Sequence, residues 1–142
     1  MSERAVMALS GGVDSTTTLA WLLQQGYTVT CVSFVYGSKH NSYELAAARE
    51  VLNYFLARNA SVERLQIDLN EVFSQFNSAL LSSSSQSIPE GHYTDQTMSQ
   101  TVVPGRNIIF LSVLAGLAKS KGADAVAIGI HQGDHAIYAD CR

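Results

Sequence analysis

The chain has 142 residues, of which 46% are hydrophobic and 15% are charged, and its formal net charge is -3. This length and composition indicate one globular domain and exclude an intrinsically disordered chain. The negative charge offers no general attraction to nucleic-acid phosphate, so we expect no direct nucleic-acid partner.

The chain opens with a predicted strand and helix. Residues 5–9 form a continuous apolar run that glycines end, which is typical of a strand buried on both faces of a parallel sheet. A helix follows, for which Asp14 and Ser15 are the expected cap and Gly26 the expected stop.

Strands and helices continue to alternate beyond this point. β-Branched and aromatic residues over 28–35 predict a second strand, and the apolar spacing over 42–57 predicts a second helix. Residues 62–69 predict a third strand, and residues 71–81 a short helix. The segment 82–104 is polar and has no apolar period, which predicts a mobile substrate loop.

The last third of the chain repeats the same alternation. A helix is predicted over 106–121 with Gly122 as its stop, then a buried strand over 123–130 and a polar loop over 131–142. The whole pattern predicts a single α/β domain over 1–142 that is doubly wound, with a mostly parallel sheet and helices on both faces. Ligands of such folds bind at the carboxyl ends of the strands.

Residues 10–15, with the sequence Ser-Gly-Gly-Val-Asp-Ser, join the first strand to the first helix and are called the glycine loop below. Adjacent glycines let a ligand approach the backbone, and the helix behind them adds the positive end of its dipole. The lysine and the spacing of the G-x-x-x-x-G-K-[ST] loop are absent. We therefore predict an anion site in which a side chain at Gly11 would block phosphate; the alternative is an ordinary strand-to-helix turn.

Two further segments, 36–41 and 131–142, are predicted to lie at the same rim. In the segment 36–41, Lys39 can pair with a phosphate and His40 can donate a hydrogen bond to a substrate; a solvated loop is the alternative. Arg106 and Asn107 on the first turn of a helix suit an anionic or amide-bearing ligand. A plain helix start is the alternative there.

Residues 131–142 contain side chains of the types that bind zinc, among them His131, His135, Asp140 and Cys141. The spacing of two histidines in a loop fixes no geometry, and a single cysteine makes a poor zinc site. We therefore predict no protein-bound metal here. Recognition of a polar heterocycle is favoured, with Asp134 as a magnesium contact.

The two cysteines, Cys31 and Cys141, lie far apart in the sequence, which predicts reduced thiols. The apolar run 5–9 is too short for a signal peptide or a membrane span. We expect a cytoplasmic protein without a membrane partner.

The glycine loop resembles the Ser-Gly-Gly-x-Asp-Ser signature of the N-type ATP pyrophosphatases. That resemblance implies cleavage of ATP to AMP and pyrophosphate with Mg²⁺, and it implies that Asp14 organises the magnesium and the phosphates. It also implies that the nucleotide is bound along the run Leu9, Ser10, Gly11, Gly12, Val13, Asp14, Ser15, Thr16, Thr17, Thr18 and Leu19.

Four separate blocks together resemble the 7-cyano-7-deazaguanine synthase family of queuosine biosynthesis. They are SGGVDSTTTLA, YGSKHN with Glu44, TVVPGRNIIFLS, and GADAVAIGIHQGD through YADCR. The resemblance implies an adenine nucleotide alpha hydrolase-like fold and a homodimer. It also implies an ATP-dependent ligase that converts 7-carboxy-7-deazaguanine and ammonia to the nitrile through adenylated intermediates.

Residue roles follow from these motifs and from the resemblance. We expect catalytic roles for Asp14, Lys39, Arg106 and Asp134, and substrate contacts from Tyr36, His40, Asn107, His131 and Asp140. Two other hypotheses stay open: another N-type ATP pyrophosphatase that modifies tRNA or forms an amide, and a nucleotide-binding module without catalysis.

The sequence departs from the family pattern at three points. Ser38 stands where the family usually has Gln, and Ala139 stands where it usually has Pro. The family pattern also continues beyond Arg142 into a four-cysteine Zn²⁺ site, whose ligands are absent here. We therefore expect the chain to be C-terminally incomplete relative to that family.

Overall fold

The computed structural model describes residues 3–37, 41–76 and 105–129. Its elements in chain order are β1 (Arg4–Ala8), α1 (Val13–Gln24), β2 (Thr28–Val35), α2 (Asn41–Leu56), β3 (Val62–Asp68), α3 (Asn70–Phe73), α4 (Arg106–Lys121) and β4 (Ala125–Ala127). The strands form one sheet in the order β3-β2-β1-β4, and every neighbouring pair is parallel. The predicted doubly wound α/β fold is confirmed.

Helices cover both faces of this sheet, and the residues of the inner strands β1 and β2 are therefore mostly buried. Ala5 and Met7 of β1 face α1 and α2, and they pack in one cluster with Leu19 and Leu52. Alternate strand residues face the other side of the sheet, where they form a second cluster with α3 and α4. Its buried members include Val6, Val32, Phe34, Phe73, Phe110, Leu114 and Ala118. The continuous apolar runs therefore have the two-sided burial that was predicted from them.

Glycines end two of the helices, as predicted. Gly26 has φ +92° and Gly122 has φ +67°, in the left-handed region that favours glycine. After α1, the Gly26 and Tyr27 amides donate to the carbonyls of Leu23 and Leu22, each at 3.1 Å. These hydrogen bonds satisfy carbonyls that the end of α1 would otherwise leave unpaired.

The predicted cap of α1 is wrong. Gly12 occupies the N-cap position with φ -74° and ψ 171°, and no side chain caps the helix. Asp14 and Ser15 already lie inside the first turn. The helix begins at Val13, one residue before Asp14, the first side chain that was expected to cap it.

Two other elements differ from expectation. In place of the first part of the helix predicted over 71–81 the structure has α3, which ends at Phe73 with Ser74 as its C-cap, and residues 77–81 lie outside the described residues. The strand predicted as buried is β4, where Val126 is 36% exposed. Within the described ranges β4 pairs with β1 alone. The predicted 82–104 loop lies outside the described residues.

None of the described helices has the length and hydrophobicity needed to cross a membrane.

Candidate functional site

The glycine loop leaves β1 at the carboxyl edge of the sheet, where α2 packs directly against it. Gly11 has φ +85°, and a Cβ on it would lie 2.5 Å from the carbonyl carbon and Cβ of Ala47 and 2.6 Å from the Ala48 nitrogen. A side chain at Gly11 would therefore collide with the α2 backbone. Packing within the fold therefore requires glycine at this position, a reason that is separate from the predicted access of phosphate.

Gly12 differs from its neighbour. Its backbone is in the extended region at φ -74°, and a Cβ there would lie 3.5 Å from the Ser10 Oγ, which is ordinary van der Waals contact. The fold itself therefore tolerates a side chain at Gly12. This exposed glycine keeps the surface of the glycine loop open to a ligand at the N-terminus of α1.

Two serine hydroxyls hold the glycine loop closed. The Ser10 amide donates to the Ser15 Oγ at 3.2 Å, and the two hydroxyl oxygens are also 3.2 Å apart. The Gly12 amide donates to the Ser10 Oγ at 3.3 Å. Ser15 is buried, so its hydroxyl works inside the loop, whereas Ser10 is exposed.

The first turns of α1 leave some of the predicted binding residues exposed beside the loop and bury the polar groups of others. Val13, Asp14 and Thr17 are exposed beside the loop. The Thr18 hydroxyl donates to the Asp14 carbonyl at 2.8 Å, within the helix. The Thr16 hydroxyl lies in a groove between α1 and α2, buried and without a hydrogen-bond partner among the described residues.

Leu9 and Leu19 were also predicted to bind the nucleotide. Their side chains are 2% and 0% exposed and belong to the core between the sheet and α1. The predicted binding role therefore does not extend to these two side chains, because both are surrounded by protein.

The end of β4 closes the loop from the other side. A Cβ on Gly129 would lie 2.7 Å from the Asp14 carbonyl carbon and from the Ser15 nitrogen. Only glycine allows this approach to the start of α1. Gly129 had no predicted role, and the available signal was a glycine near the end of the strand predicted over 123–130.

Tyr36 is buried instead of lying in a solvated loop. Its ring packs against Phe73 and Phe110 at 5.6 and 5.5 Å between centroids. Its hydroxyl donates to the Glu44 carboxylate at 3.0 Å from Oε1 and 3.2 Å from Oε2. Glu44, which had no assigned role, is therefore held at the first turn of α2 by a rigid aromatic residue.

Asn41 fixes the junction between β2 and α2. Its side-chain amide donates to the Phe34 carbonyl at 2.9 Å, and its side-chain oxygen accepts from the Tyr36 amide at 3.1 Å. Asn41 is 5% exposed. It replaces the sheet hydrogen bonds that end with β2, and so it sets the direction in which the chain leaves the sheet.

Arg106 and Asn107 lie on the first turn of α4, as predicted, after Gly105 at the N-cap with φ +67°. They line a cleft of about 150 Å³ together with the following residues of α4 and of the rest of the rim: Ala8, Ser10, Ser15, Tyr36, Glu44, Phe110, Ile128 and Gly129. Two of the three segments predicted to meet at the carboxyl edge of the sheet, 10–15 and 36–41, thus contribute to one cleft, and the third, 131–142, lies outside the described residues. Lys39, His40, His131, Asp134 and Asp140 lie outside the described residues.

A larger cavity, of about 620 Å³, lies at the opposite end of the strands. There the Glu63 carboxylate accepts hydrogen bonds from the Thr30 hydroxyl at 2.7 Å and from the Lys121 ammonium at 3.2 Å. These partners lower the pKa of Glu63. We assign the functional site to the smaller cleft, because ligands of parallel α/β sheets bind at the carboxyl ends of strands and the glycine loop is there.

The parallel sheet with helices on both faces and the glycine loop at its carboxyl edge define the class of the protein, a doubly wound α/β fold. A solved structure described as a 4-thiouridine synthetase in complex with RNA and bound ATP has this fold, with a TM-score of 0.58 and 16% sequence identity. The match covers 89% of this chain and 29% of that one.

Within that class, the chain belongs to the family described as queuosine biosynthesis protein QueC, whose model matches residues 4–142. It is 45% identical over 139 residues to the 7-cyano-7-deazaguanine synthase of Caldicellulosiruptor bescii, covering 98% of this chain and 60% of the relative. The synthase of Caldicellulosiruptor saccharolyticus is also 45% identical, with 98% and 59% covered. The chain thus spans less than two thirds of the length of these relatives.

Proposed function

We propose that the chain is the ATP-binding part of an ATP-dependent ligase that converts 7-carboxy-7-deazaguanine and ammonia to 7-cyano-7-deazaguanine. The observation that carries the proposal is the glycine loop, with Gly11 packed on α2 and Gly12 open to a ligand. The names of the relatives support the substrate, since the chain is 45% identical to 7-cyano-7-deazaguanine synthases.

The chemistry proceeds through two activations. The substrate carboxylate attacks the α-phosphorus of ATP, the bond to the β-phosphate oxygen breaks, and pyrophosphate leaves. Ammonia then attacks the carboxyl carbon of the adenylate, AMP leaves, and one proton is lost to give the amide. The amide oxygen then attacks the α-phosphorus of a second ATP and a second pyrophosphate leaves, after which loss of AMP and the two N–H protons gives the nitrile.

The glycine loop is proposed to hold the pyrophosphate end of ATP. The N-terminus of α1 supplies a partial positive charge where the leaving group gains negative charge. The Ser10 hydroxyl is exposed at the mouth of the loop, next to the open backbone of Gly12. The loop is held in shape by its own hydrogen bonds, in which the Ser10 and Gly12 amides donate to serine hydroxyl oxygens.

Asp14 is the residue proposed to meet magnesium. In the described ranges there is no group of three or more His, Cys, Asp or Glu side chains that could hold a metal alone. Magnesium is usually bound through one or two carboxylates together with substrate phosphates, and the exposed Asp14 beside the loop fits that arrangement. Bound there, Mg²⁺ would neutralise charge on the phosphate oxygens.

The cleft beside the loop is proposed to receive 7-carboxy-7-deazaguanine. Arg106 can pair with the substrate carboxylate, and Asn107 can hydrogen-bond the heterocycle. Glu44 can accept hydrogen bonds from the N–H groups of the deazaguanine ring, and Tyr36 orients its carboxylate.

Further parts of the proposal rest on family membership. Lys39 and Asp134 retain proposed catalytic roles, and His40, His131 and Asp140 retain proposed substrate contacts. We also propose a cytoplasmic homodimer that uses ammonia as its nitrogen source and has no direct nucleic-acid partner. The proposal for the full-length protein includes a Zn²⁺ site.

Release of pyrophosphate from ATP tests the proposal. The chain and the full-length Caldicellulosiruptor bescii relative are assayed in parallel, with and without 7-carboxy-7-deazaguanine and ammonium. We expect release that depends on the deazaguanine substrate, and its loss in Asp14→Asn. Glu71→Gln is the matched control, because Glu71 is also an exposed acidic residue on the first turn of a helix. A chain that neither binds ATP nor releases pyrophosphate while the relative does both would contradict the proposal.

A further inference from the structure

Ser33 is an unusual residue in the most apolar part of the sheet. It is 2% exposed and lies in β2 between Val32 and Phe34, which are also buried. We propose that Ser33 is a positioning residue for the glycine loop, a role that rests on the proposed binding of ATP phosphates there.

The Ser33 hydroxyl acts where β1 leaves the sheet. The Leu9 amide still donates to the Val32 carbonyl at 2.8 Å, which extends the parallel ladder by one bond. The Leu9 carbonyl, however, accepts its hydrogen bond from the Ser33 Oγ at 2.9 Å. Since the hydroxyl proton is used for this bond, the Ser33 oxygen accepts from the Arg64 Nε, which lies 3.4 Å away.

The peptide between Leu9 and Ser10 is therefore held at both of its polar ends. Its carbonyl is bound by Ser33, and its N–H, the Ser10 amide, donates to the Ser15 Oγ at 3.2 Å. A peptide group is planar, so fixing the carbonyl also fixes the direction of the N–H on the opposite side. One rigid plane thus connects β2 to the first turn of α1.

This plane controls the geometry of the loop beyond it. Ser15 Oγ and Ser10 Oγ are 3.2 Å apart, and the Ser10 Oγ in turn accepts from the Gly12 amide. If Ser33 lost its hydroxyl, the Leu9–Ser10 peptide could rotate, and the hydrogen bonds that depend on it would loosen. The first group to be displaced would be the open backbone at Gly12, where a phosphate is proposed to lie.

Thr30 provides a matched control on the same strand. It is 7% exposed, and its hydroxyl donates to Glu63 at the amino end of the strands, remote from the loop. Thr30→Val and Ser33→Ala each remove one buried hydroxyl from β2. Ser33→Thr keeps the hydroxyl and serves as the rescue variant.

The experiment measures the affinity of the chain for the magnesium complex of α,β-methylene-ATP and for adenosine, which has no phosphate. We expect Ser33→Ala to weaken binding of the ATP analogue about ten-fold while adenosine affinity stays unchanged, the loss expected for one hydrogen-bonded phosphate contact. Thr30→Val is expected to lower the melting temperature and leave both affinities unchanged, and Ser33→Thr to restore binding of the analogue. Equal affinity for the analogue in Ser33→Ala and Thr30→Val would overturn the proposal.

A second measurement does not depend on ATP. Hydrogen exchange of the Ser10 amide without ligand is expected to speed up in Ser33→Ala and not in Thr30→Val; equal rates would overturn the proposal. If the wild-type chain bound no ATP analogue, the proposed function would fail while this exchange rate still decided the role of Ser33. If Ser33→Ala does not fold, Ser33→Cys, which keeps the side-chain size but donates weakly, takes its place.

Discussion

Gly11 and Gly12 are adjacent in the sequence, and the structure predicts opposite consequences for the same substitution at each. In Gly11→Ala the new Cβ would overlap the Ala47 backbone at 2.5 Å, and the residue would keep φ +85°. In Gly12→Ala the new Cβ would touch only the Ser10 Oγ, at 3.5 Å. The first variant is therefore expected to damage the fold, and the second to damage only ligand binding.

The magnitudes follow from these contacts. A non-glycine residue held in a sparsely populated backbone region costs about 1–3 kcal/mol. Overpacking against backbone that cannot move aside adds about 1–3 kcal/mol. Gly11→Ala should therefore lose about 2–6 kcal/mol of unfolding free energy, a large part of the ~5–15 kcal/mol typical of a domain. Gly12→Ala should change stability by less than about 1 kcal/mol, and a smaller unfolded-state entropy favours the variant.

Two measurements separate the effect on stability from the effect on binding. Thermal unfolding is monitored by circular dichroism, and ligand affinity is measured by titration with magnesium α,β-methylene-ATP. We expect Gly11→Ala to melt at least about 5 °C below the wild-type chain, given ~2–4 °C per kcal/mol for a domain of this size. Gly12→Ala should melt with the wild type and bind the analogue more weakly. A normal melting temperature for Gly11→Ala would refute the packing argument, and wild-type affinity in Gly12→Ala would refute the proposed position of the phosphates.

Four further predictions test other parts of the structure. Asn41→Ala leaves two buried backbone groups without their partners and should cost about 2–4 kcal/mol in urea unfolding; a loss below about 1 kcal/mol would contradict its role at the β2–α2 junction. Asp14→Asn should abolish pyrophosphate release while losing only about 0.3–1 kcal/mol from the helix dipole, and retained release would contradict its role. Burial raises the pKa of the Cys31 thiol to about 12. We therefore expect the folded chain to resist alkylation of Cys31 at about pH 8 and the unfolded chain to react. Modification of Cys31 in the folded chain, mapped by mass spectrometry, would contradict its burial. The hydrogen bonds from Thr30 and Lys121 lower the pKa of Glu63 in the folded state. The contribution of Glu63 to the free energy of unfolding is therefore present above its ordinary pKa of 4.5 and is lost as the pH falls through the folded pKa. Glu63→Gln should reduce the fall in melting temperature below about pH 4.5, and an unchanged pH profile would contradict this.

The elements that could be predicted from the sequence are those whose local pattern agrees with their final environment. The helix predicted over 106–121 is α4 with the same bounds, because its apolar face, its glycine stop and its start after Gly105 all act within a few residues. β1 and β2 were recognisable for a similar reason. β1 lies in a continuous apolar run and β2 is rich in β-branched and aromatic residues, and both faces of the two strands are covered in the structure.

What could not be predicted depends on contacts between distant parts of the chain. Tyr36 follows the last residue of a strand and precedes a glycine, which is typical of a loop, yet Phe73 and Phe110 enclose its ring. The role of Gly11 is set by Ala47, on a different helix. Nothing in the local pattern encodes such a contact.

In the candidate site, too, features with a local sequence pattern could be predicted and features that depend on distant contacts could not. The motif of residues 10–15 was sufficient to predict an anion site, because glycines before a helix have a direct physical meaning. Ser33 carried no such signal, since one hydroxyl within an apolar strand has the appearance of an ordinary buried serine. Its hydrogen bond to the Leu9 carbonyl becomes evident only when β1 and β2 lie side by side.

The central claim is that the glycine loop holds the phosphates of ATP, and amide chemical shifts during titration test it most directly. The ¹⁵N-labelled chain is titrated with magnesium α,β-methylene-ATP, and adenosine serves as the phosphate-free comparison. The account predicts that the Gly11, Gly12 and Asp14 amides shift strongly with the ATP analogue and little with adenosine. Binding of the analogue without shifts at these three amides, or equal shifts with adenosine, would contradict it.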